Sequence, residues 1–283
     1  GSYAAYLDVD HPDLLLFLEM RKPTGDQNFR CLNMHHGINI SDKFMQLIET
    51  SMTDDNVDDS WELCDPHSKK VYDVVSAKEI WQRILEMRMQ TGEPYLHFID
   101  RSNEQLPSWL KQKGLKVHQS NLCSEIILPT SAERTAVCCL SSINLEYFDE
   151  WSKDKQFLPD VLEMLDNVLE FFINNAPNSI SRAKYSASKE RSVGVGALGF
   201  HAYLQSKGMS FESAVAKSIN MRMFKHIRTE LDSANRKLGK ERGEAPDAKG
   251  TGLRCSHVMA VAPNASSSII MGNTSPSIEP WRA

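Results

Sequence analysis

Helical and extended patterns alternate along this chain instead of grouping into separate halves, and that alternation favours an α/β class. HPDLLLFLEMRK (residues 11–22) reads as a helix, KPTGDQNFR (22–30) as a polar loop with turn residues, and LNMHHGINI as a strand. Ser41 is placed to cap DKFMQLIET. SAKEIWQRILEMRMQTG (76–92) has a Ser cap, helical apolar spacing and a terminal Gly, and it leads into the strand-like YLHFID. AVCCLSSINL (136–145) is a buried-strand pattern, LPDVLEMLDNVLEFFINN (158–175) an amphipathic helix, and residues 213–242 a long charged helix. The acidic stretch TDDNVDDSWELCDPHSKK (53–70) reads as a solvated surface loop. No repeat or Pro/Gly/Ser linker divides the chain, so a single domain over 1–283 is expected.

Composition narrows the function classes. The chain has 283 residues, enough to bury a sizeable core, with 41% hydrophobic and 24% charged residues, near the averages of globular proteins. No apolar run approaches the ~20 residues a membrane span needs. The net charge is −5 with Lys and Arg scattered, which argues against a nucleic-acid surface. GSYAAYLDVDHPDL has no basic and apolar leader pattern, so a reducing cytoplasmic setting is expected. Six Cys form no dense disulfide framework and no zinc spacing. MHHG (34–37) offers two adjacent His that diverge on a strand or helix, and no metal is assigned.

The segment QSNLCSEIILPT (119–130) does not read as core. If extended, it points Asn121, Cys123 and Glu125 to one face. That face then holds a hydrogen-bonding amide, a redox-capable thiol and a base. VCCL places Cys138 and Cys139 on opposite faces, and both also read as small buried hydrophobes. GVGALG (194–199) formally satisfies the dinucleotide fingerprint, but the polar SASKERS precedes it and no acidic residue follows at ribose distance. Close strand-to-helix packing is the expected role. APNASSSIIMGNTSP (262–276) follows the apolar HVMAV, read as a strand, and puts short hydroxyl side chains where a helix should start at about 265–268. Such a place suits a phosphate or serves only as a capping loop.

SNLCSEIILPT, VCCLSSINL, RSVGVGALGFHAYL and APNASSSIIMGNTSPSIEP, in this order, resemble the large catalytic subunit of class I ribonucleotide reductase, with phage and bacterial members most similar. The resemblance implies part of a ten-stranded α/β barrel, two sets of five strands around a central finger loop. It implies that Cys123 becomes a thiyl radical and abstracts the substrate's 3′ hydrogen, that Glu125 is the base for the 3′-OH, and that Asn121 hydrogen-bonds the ribose hydroxyls. Cys138 is then one half of the reducing dithiol and Cys139 is packing. Asn264, Ala265, Ser266, Ser267 and Ser268 are expected to bind the substrate phosphates. The loop TGDQNFR takes the place of the specificity loop, with Gln27 and Arg30 as base contacts, although it departs from the longer arginine-rich versions.

The resemblance also implies what the chain works with. It binds no cofactor itself. A metal-containing small subunit supplies the radical, a thioredoxin- or glutaredoxin-type dithiol restores the site, and the complete large subunit is a homodimer. The substrate is a ribonucleotide, expected as the diphosphate, with no nucleic-acid or membrane partner. The second dithiol cysteine on the first barrel strand, the effector-binding region, the radical-relay tyrosines and the C-terminal cysteine tail have no counterpart here, so an internal fragment or split-gene piece is expected. Two alternatives stand beside this reading: a catalytically inactive assembly module, and a cobalamin-dependent relative, against which Leu122 argues because that branch tends to proline there.

Overall fold

The computed structural model describes residues 2–281. They form two compact units, one of residues 2–106 with 117–127 and one of 107–116 with 128–281.

In the first unit, β1 (Ala4–Asp8), β2 (His35–Ile40) and β5 (Tyr95–Phe98) form a parallel sheet in that order, with Tyr6 opposite Gly37 opposite Tyr95 and Asp8 opposite Asn39 opposite His97. Helices α1 (Leu14–Glu19), α2 (Asp42–Thr53) and α3 (Ala77–Thr91) make the connections, and α4 (Ile99–Gln105) follows β5. Ile38 and Ile40 on one face of the sheet pack with Leu14, Phe44, Ile80 and Ile84 from these helices. The opposite face carries Tyr6, Asp8, Gly37, Asn39, Tyr95 and His97, the other set in the period-two alternation.

Local signals explain these elements. Ser41 and Ser76 accept the N–H groups of Phe44 and Glu79, and Gly92 ends α3 in the left-handed conformation. The α1 helix is shorter than its apolar pattern, covering 14–19 of 11–22. The acidic stretch is a correction: Ser60–Cys64 is a strand, β3, paired antiparallel with β4 (Val71–Ser76). Trp61 and Leu63 alternate inward there while Ser60 and Glu62 face solvent, a period-two signal outweighed in the sequence by flanking aspartates.

The second unit opens with the short α5 (Ser108–Lys111) and is built on β6 (Cys139–Asn144) and β7 (Val193–Leu198), paired parallel. Between them run α6 (Phe148–Trp151), α7 (Phe157–Asn175) and α8 (Ser181–Glu190), the last containing most of the polar SASKERS. After β7 come α9 (Phe200–Ser206), α10 (Ala214–Arg242) and the four-residue α11 (Ser267–Ile270). Leu162, Leu165 and Leu169 of α7 meet Val195 and Ala197 of β7 and Met223, Ile227 and Leu231 of α10 in the core. Within it Asp166 is fully buried, and Arg191, Arg242 and Arg254 each approach its carboxylate within 3.0 Å. A buried carboxylate needs such compensation.

GVGALG is β7 and the start of α9, so its glycines serve packing. A Cβ on Gly194 would lie 2.7 Å from Ala260 Cβ, and one on Gly196 would lie 2.4 Å from Ala260 O. Gly199 precedes α9 at φ +79, in the left-handed region that favours glycine. The neighbour in these contacts, HVMAV, is not the regular strand its sequence suggests. It meets β7 through the single bridge Val195–Met259 and the bonds Val193 N to His257 O, Val195 N to Val258 O and Ala260 N to Val195 O.

Candidate active site

The polar face of the first sheet supports residues 117–127. Asn39 Nδ2 donates to Asp8 Oδ1 and to His118 O, each at 2.8 Å. Its Oδ1 can therefore only accept, from His97 Nδ1 at 2.9 Å, and the Ser102 hydroxyl donates to His97 Nε2 at 2.8 Å. Burial lowers the His97 pKa, in keeping with a neutral ring protonated on Nδ1. The Tyr6 ring stands edge-on to His97 and lies over Gly37, where a Cβ would meet it at 2.3 Å. From there the Tyr6 hydroxyl donates to Asn121 O at 3.2 Å and sits 3.4 Å from Ser124 Oγ.

The segment carrying Asn121, Cys123 and Glu125 is a tight turn and not the extended stretch its alternation suggests. Ser124 N donates to Asn121 O at 3.2 Å, and Ser124 has φ +63. Asn121 is the reason: its side-chain Oδ1 accepts from Ile126 N at 3.1 Å, closing the chain on itself as short amide side chains do. The turn still assembles the groups. Asn121 Nδ2 donates to Glu125 Oε2 at 2.7 Å, and Cys123 projects at the exposed tip. Partial burial, and then the negative charge of Glu125, push the Cys123 thiol above its usual pKa, so the S–H is retained at neutral pH.

The other expected site residues lie in the second unit, apart from the loop of Gln27 and Arg30. Cys138 stands one residue before β6 with its Sγ 3.8 Å from Cys139 O, while Cys139 packs against the core and its pKa is raised by burial. No disulfide joins any of the six cysteines. In the phosphate segment, Asn264 has φ +57 and commits its side-chain amide to Ala197 O (3.1 Å) and Ala262 O (2.8 Å). Ser268 is buried and donates to Ala265 O, leaving Ala265, Ser266 and Ser267 exposed. The helix starts at Ser267, and Ser266 makes no side-chain cap bond.

In the first unit, Gln27 lies exposed in a single 3-10 turn (Gln27–Phe29) that Asp26 caps, and Arg30 Nη1 donates to Pro23 O at 2.5 Å across the loop. His35 and His36 do not diverge: both imidazoles meet the buried carboxylate of Glu93. No group of three or more His, Cys, Asp or Glu among the described residues is placed to hold a metal. Nor is any helix among them long and apolar enough to cross a membrane. The sequence reading missed Tyr6, Asn39, His97 and Glu93. For Tyr6, Asn39 and His97 the only signal was polar residues recurring at alternate positions of strands otherwise apolar, and Glu93, between α3 and β5, carried none.

Parallel strands with helices on one face and a thiol-bearing turn on the other are an α/β arrangement. The family model described as "Ribonucleotide reductase, barrel domain" matches residues 1–251, and the chain belongs to that family. The ribonucleoside-diphosphate reductase large subunit of Invertebrate iridescent virus 3 is 47% identical over an alignment of 330 positions, covering 100% of this chain and 52% of the relative. A putative large subunit from Frog virus 3 (isolate Goorha) is 51% identical, over 99% of this chain and 48% of the relative. The solved alpha subunit of an Actinobacillus ureae class Id ribonucleotide reductase superposes with a TM-score of 0.87 at 33% identity, covering 100% of this chain and 50% of that one. The chain thus spans about half the length of the relatives it matches.

Proposed function

We propose that this chain supplies the reaction centre of a class I ribonucleotide reductase large subunit, reducing ribonucleotides, as the diphosphates, to deoxyribonucleotides. The observation that carries the reading is the turn itself: a protonated thiol at an exposed tip, flanked by an amide and a carboxylate already hydrogen-bonded at 2.7 Å. Hydrogen-atom abstraction needs the S–H intact until the radical arrives, which the raised thiol pKa favours. Cys123, as a thiyl radical, takes the 3′ hydrogen and later returns it. Glu125 accepts the 3′-OH proton, and Asn121 holds the ribose hydroxyls and orients Glu125. A dithiol supplies two electrons and two protons; the hydroxyl leaves as water, and a disulfide remains.

Cys138 is one thiol of that dithiol, supported by its place just ahead of β6 while Cys139 is engaged in the core. The exposed hydroxyls of Ser266 and Ser267 beside the Asn264–Ser268 turn are the phosphate contacts, and Gln27 and Arg30 meet the base. Residues 1–283 act as one incomplete catalytic barrel domain, in the cytoplasm, within a dimeric large subunit. The radical comes from a metal-containing small subunit, and an external dithiol restores the cysteines.

The test is reconstitution. The chain within a complete large subunit, with small subunit and dithiol, is expected to form deoxyribonucleotide, and the 283-residue chain alone none. An assembled complex that binds substrate and never forms product would mark the inactive assembly module. A requirement for added cobalamin would move the chain to the other branch.

A further inference from the structure

The segment 117–127, which carries the thiol, contains no helix or strand, and the residues on both sides of it, 107–116 and 128–281, belong to the second unit. Side chains of the first unit hold it instead. Asn103, in α4, meets the main chain of Val117 as a neighbouring strand would: its Oδ1 accepts from Val117 N at 2.9 Å and its Nδ2 donates to Val117 O at 2.9 Å. The same Nδ2 donates to Ile99 O at 3.1 Å, which ties the amide to its own helix. One residue on, Asn39 of β2 takes His118 O. Two consecutive residues at the root of the turn are thus gripped by two asparagines from different elements.

Both positions require an amide. Asn39 faces two acceptors, Asp8 Oδ1 and His118 O, and one donor, His97 Nδ1. Asn103 faces two carbonyls and one N–H. An aspartate has the same shape but no N–H to give either pair of acceptors. Asn39 is 5% exposed and Val117 2%, so a bond lost there is not replaced by water. His97 orients the Asn39 amide, and Ser102, next to Asn103 in α4, donates to His97 Nε2, which joins the two grips into one network.

The turn beyond the root does not stand on its own bonds. Ser124 N to Asn121 O, Ile126 N to Asn121 Oδ1 and Ser120 Oγ to Ile126 O each contribute less than the freedom lost in ordering the residues they span. Asn121 follows His118 by three residues, at most about 10 Å of chain, so a loosened root carries Cys123 with it.

We propose that Asn103 and Asn39, the latter oriented by His97, are the positioning residues of the thiol-bearing turn, and that by fixing its root they govern how often Cys123 stands within reach of the ribose. The second half rests on the reading of Cys123 given above; the first does not.

The experiment compares Asn103→Ala and Asn39→Asp with wild type in the assembled enzyme. Asn103→Ala strips both main-chain groups of Val117 from a half-buried helix position, and Asn39→Asp turns an acceptor toward Asp8 and His118 O. Hydrogen exchange at Ser124 and Ile126, whose N–H groups touch neither Asn39 nor Asn103, is expected to rise at least about tenfold while α2 and α3 keep their protection. The kcat is expected to fall at least about tenfold with KM within about threefold, because only the placement of the thiol is impaired. His97→Asn keeps a donor near the Nδ1 position and is expected to stay closer to wild type than His97→Leu in both readouts. Equal loss in the two overturns the part given to His97. If Asn39→Asp unfolds the sheet, Asn103→Ala carries the test. Wild-type exchange at Ser124 and Ile126 in Asn103→Ala overturns the positioning role, whatever Cys123 does. Faster exchange with unchanged kcat overturns the link to catalysis. Cys123→Ser then separates the causes: without turnover, the reading of Cys123 stands without its proposed support, and with turnover that reading itself fails.

Discussion

The turn at Asn121–Ser124 and the segment Gly194–Gly199 are both short stretches with a functional look in the sequence, and they are held by opposite means. The turn is kept in place by a few directed hydrogen bonds, from Tyr6 and from the Asn121 side chain, with Cys123 open to solvent. Gly194–Gly199 is buried at every residue, and it has glycine at 194 and 196 because the chain at 260–261 passes against it and at 199 because Asn144 and Thr274 do. Packing density protects the second and would obstruct the first. A reactive thiol needs access and a backbone fixed by polar contacts, whereas a buried segment needs fit and little else. The nucleotide-like glycine pattern is thus structural, and the exposed thiol lies in the less packed region.

The contrast can be broken most forcefully at Gly196. Adding a methyl 2.4 Å from a main-chain oxygen forces backbone movement, so Gly196→Ala is expected to destabilise the second unit by about 3 kcal/mol, read as a drop in denaturant midpoint. An unchanged midpoint would mean that the 260–261 segment yields freely and that the glycines are not packing residues.

The buried region should also respond to pH. Glu190, at the end of α8 just before β7, has its pKa raised to about 7, chiefly by burial and against the pull of Arg134. The folded state then binds this proton more tightly than the unfolded chain. The contribution is greatest below the ordinary carboxyl pKa and is lost as pH rises from there to about 7. Glu190→Gln is expected to remove a loss on the order of 2 kcal/mol over that interval. Thermal unfolding of both proteins at pH 5 and pH 8 checks it, and parallel pH profiles would contradict it.

A smaller effect is expected at the turn. Tyr6→Phe removes a bond to Asn121 O and a contact to Ser124 Oγ, costing about 1 kcal/mol, but it should raise the alkylation rate of Cys123 as the turn loosens. The smallest change in stability belongs to Ser266→Ala with Ser267→Ala. Neither hydroxyl caps α11, so the melting temperature should hold while the substrate Kd in the assembled enzyme rises. A lower melting temperature with unchanged Kd would make them structural.

What the sequence made legible follows the range of the interactions. Ser41, Ser76 and Gly92 announce their helix ends because a cap is settled within four residues, and the β-α-β order follows from periodicity. The grouping of Asn121, Cys123 and Glu125 was also legible, since they are poor choices for a packed strand. Its geometry was not. The turn depends on a left-handed Ser124 and on Tyr6, 115 residues from the carbonyl it holds. The convergence of His35 and His36 depends on Glu93, 58 and 57 residues away. HVMAV has a strand's composition, and its place against the glycines of β7 leaves it with one bridge only.

The account stands on Cys123 being the atom that starts the reaction. The most direct measurement is turnover and substrate binding by Cys123→Ser in the assembled enzyme. Serine is nearly isosteric, and the side chain lies exposed at the tip of a turn held by the bonds of Ser124 N and of the Asn121 side chain, so melting temperature and substrate Kd are expected to stay close to wild type. Its O–H bond is too strong to yield the radical, so deoxyribonucleotide formation should vanish. Measurable turnover by Cys123→Ser would contradict the account.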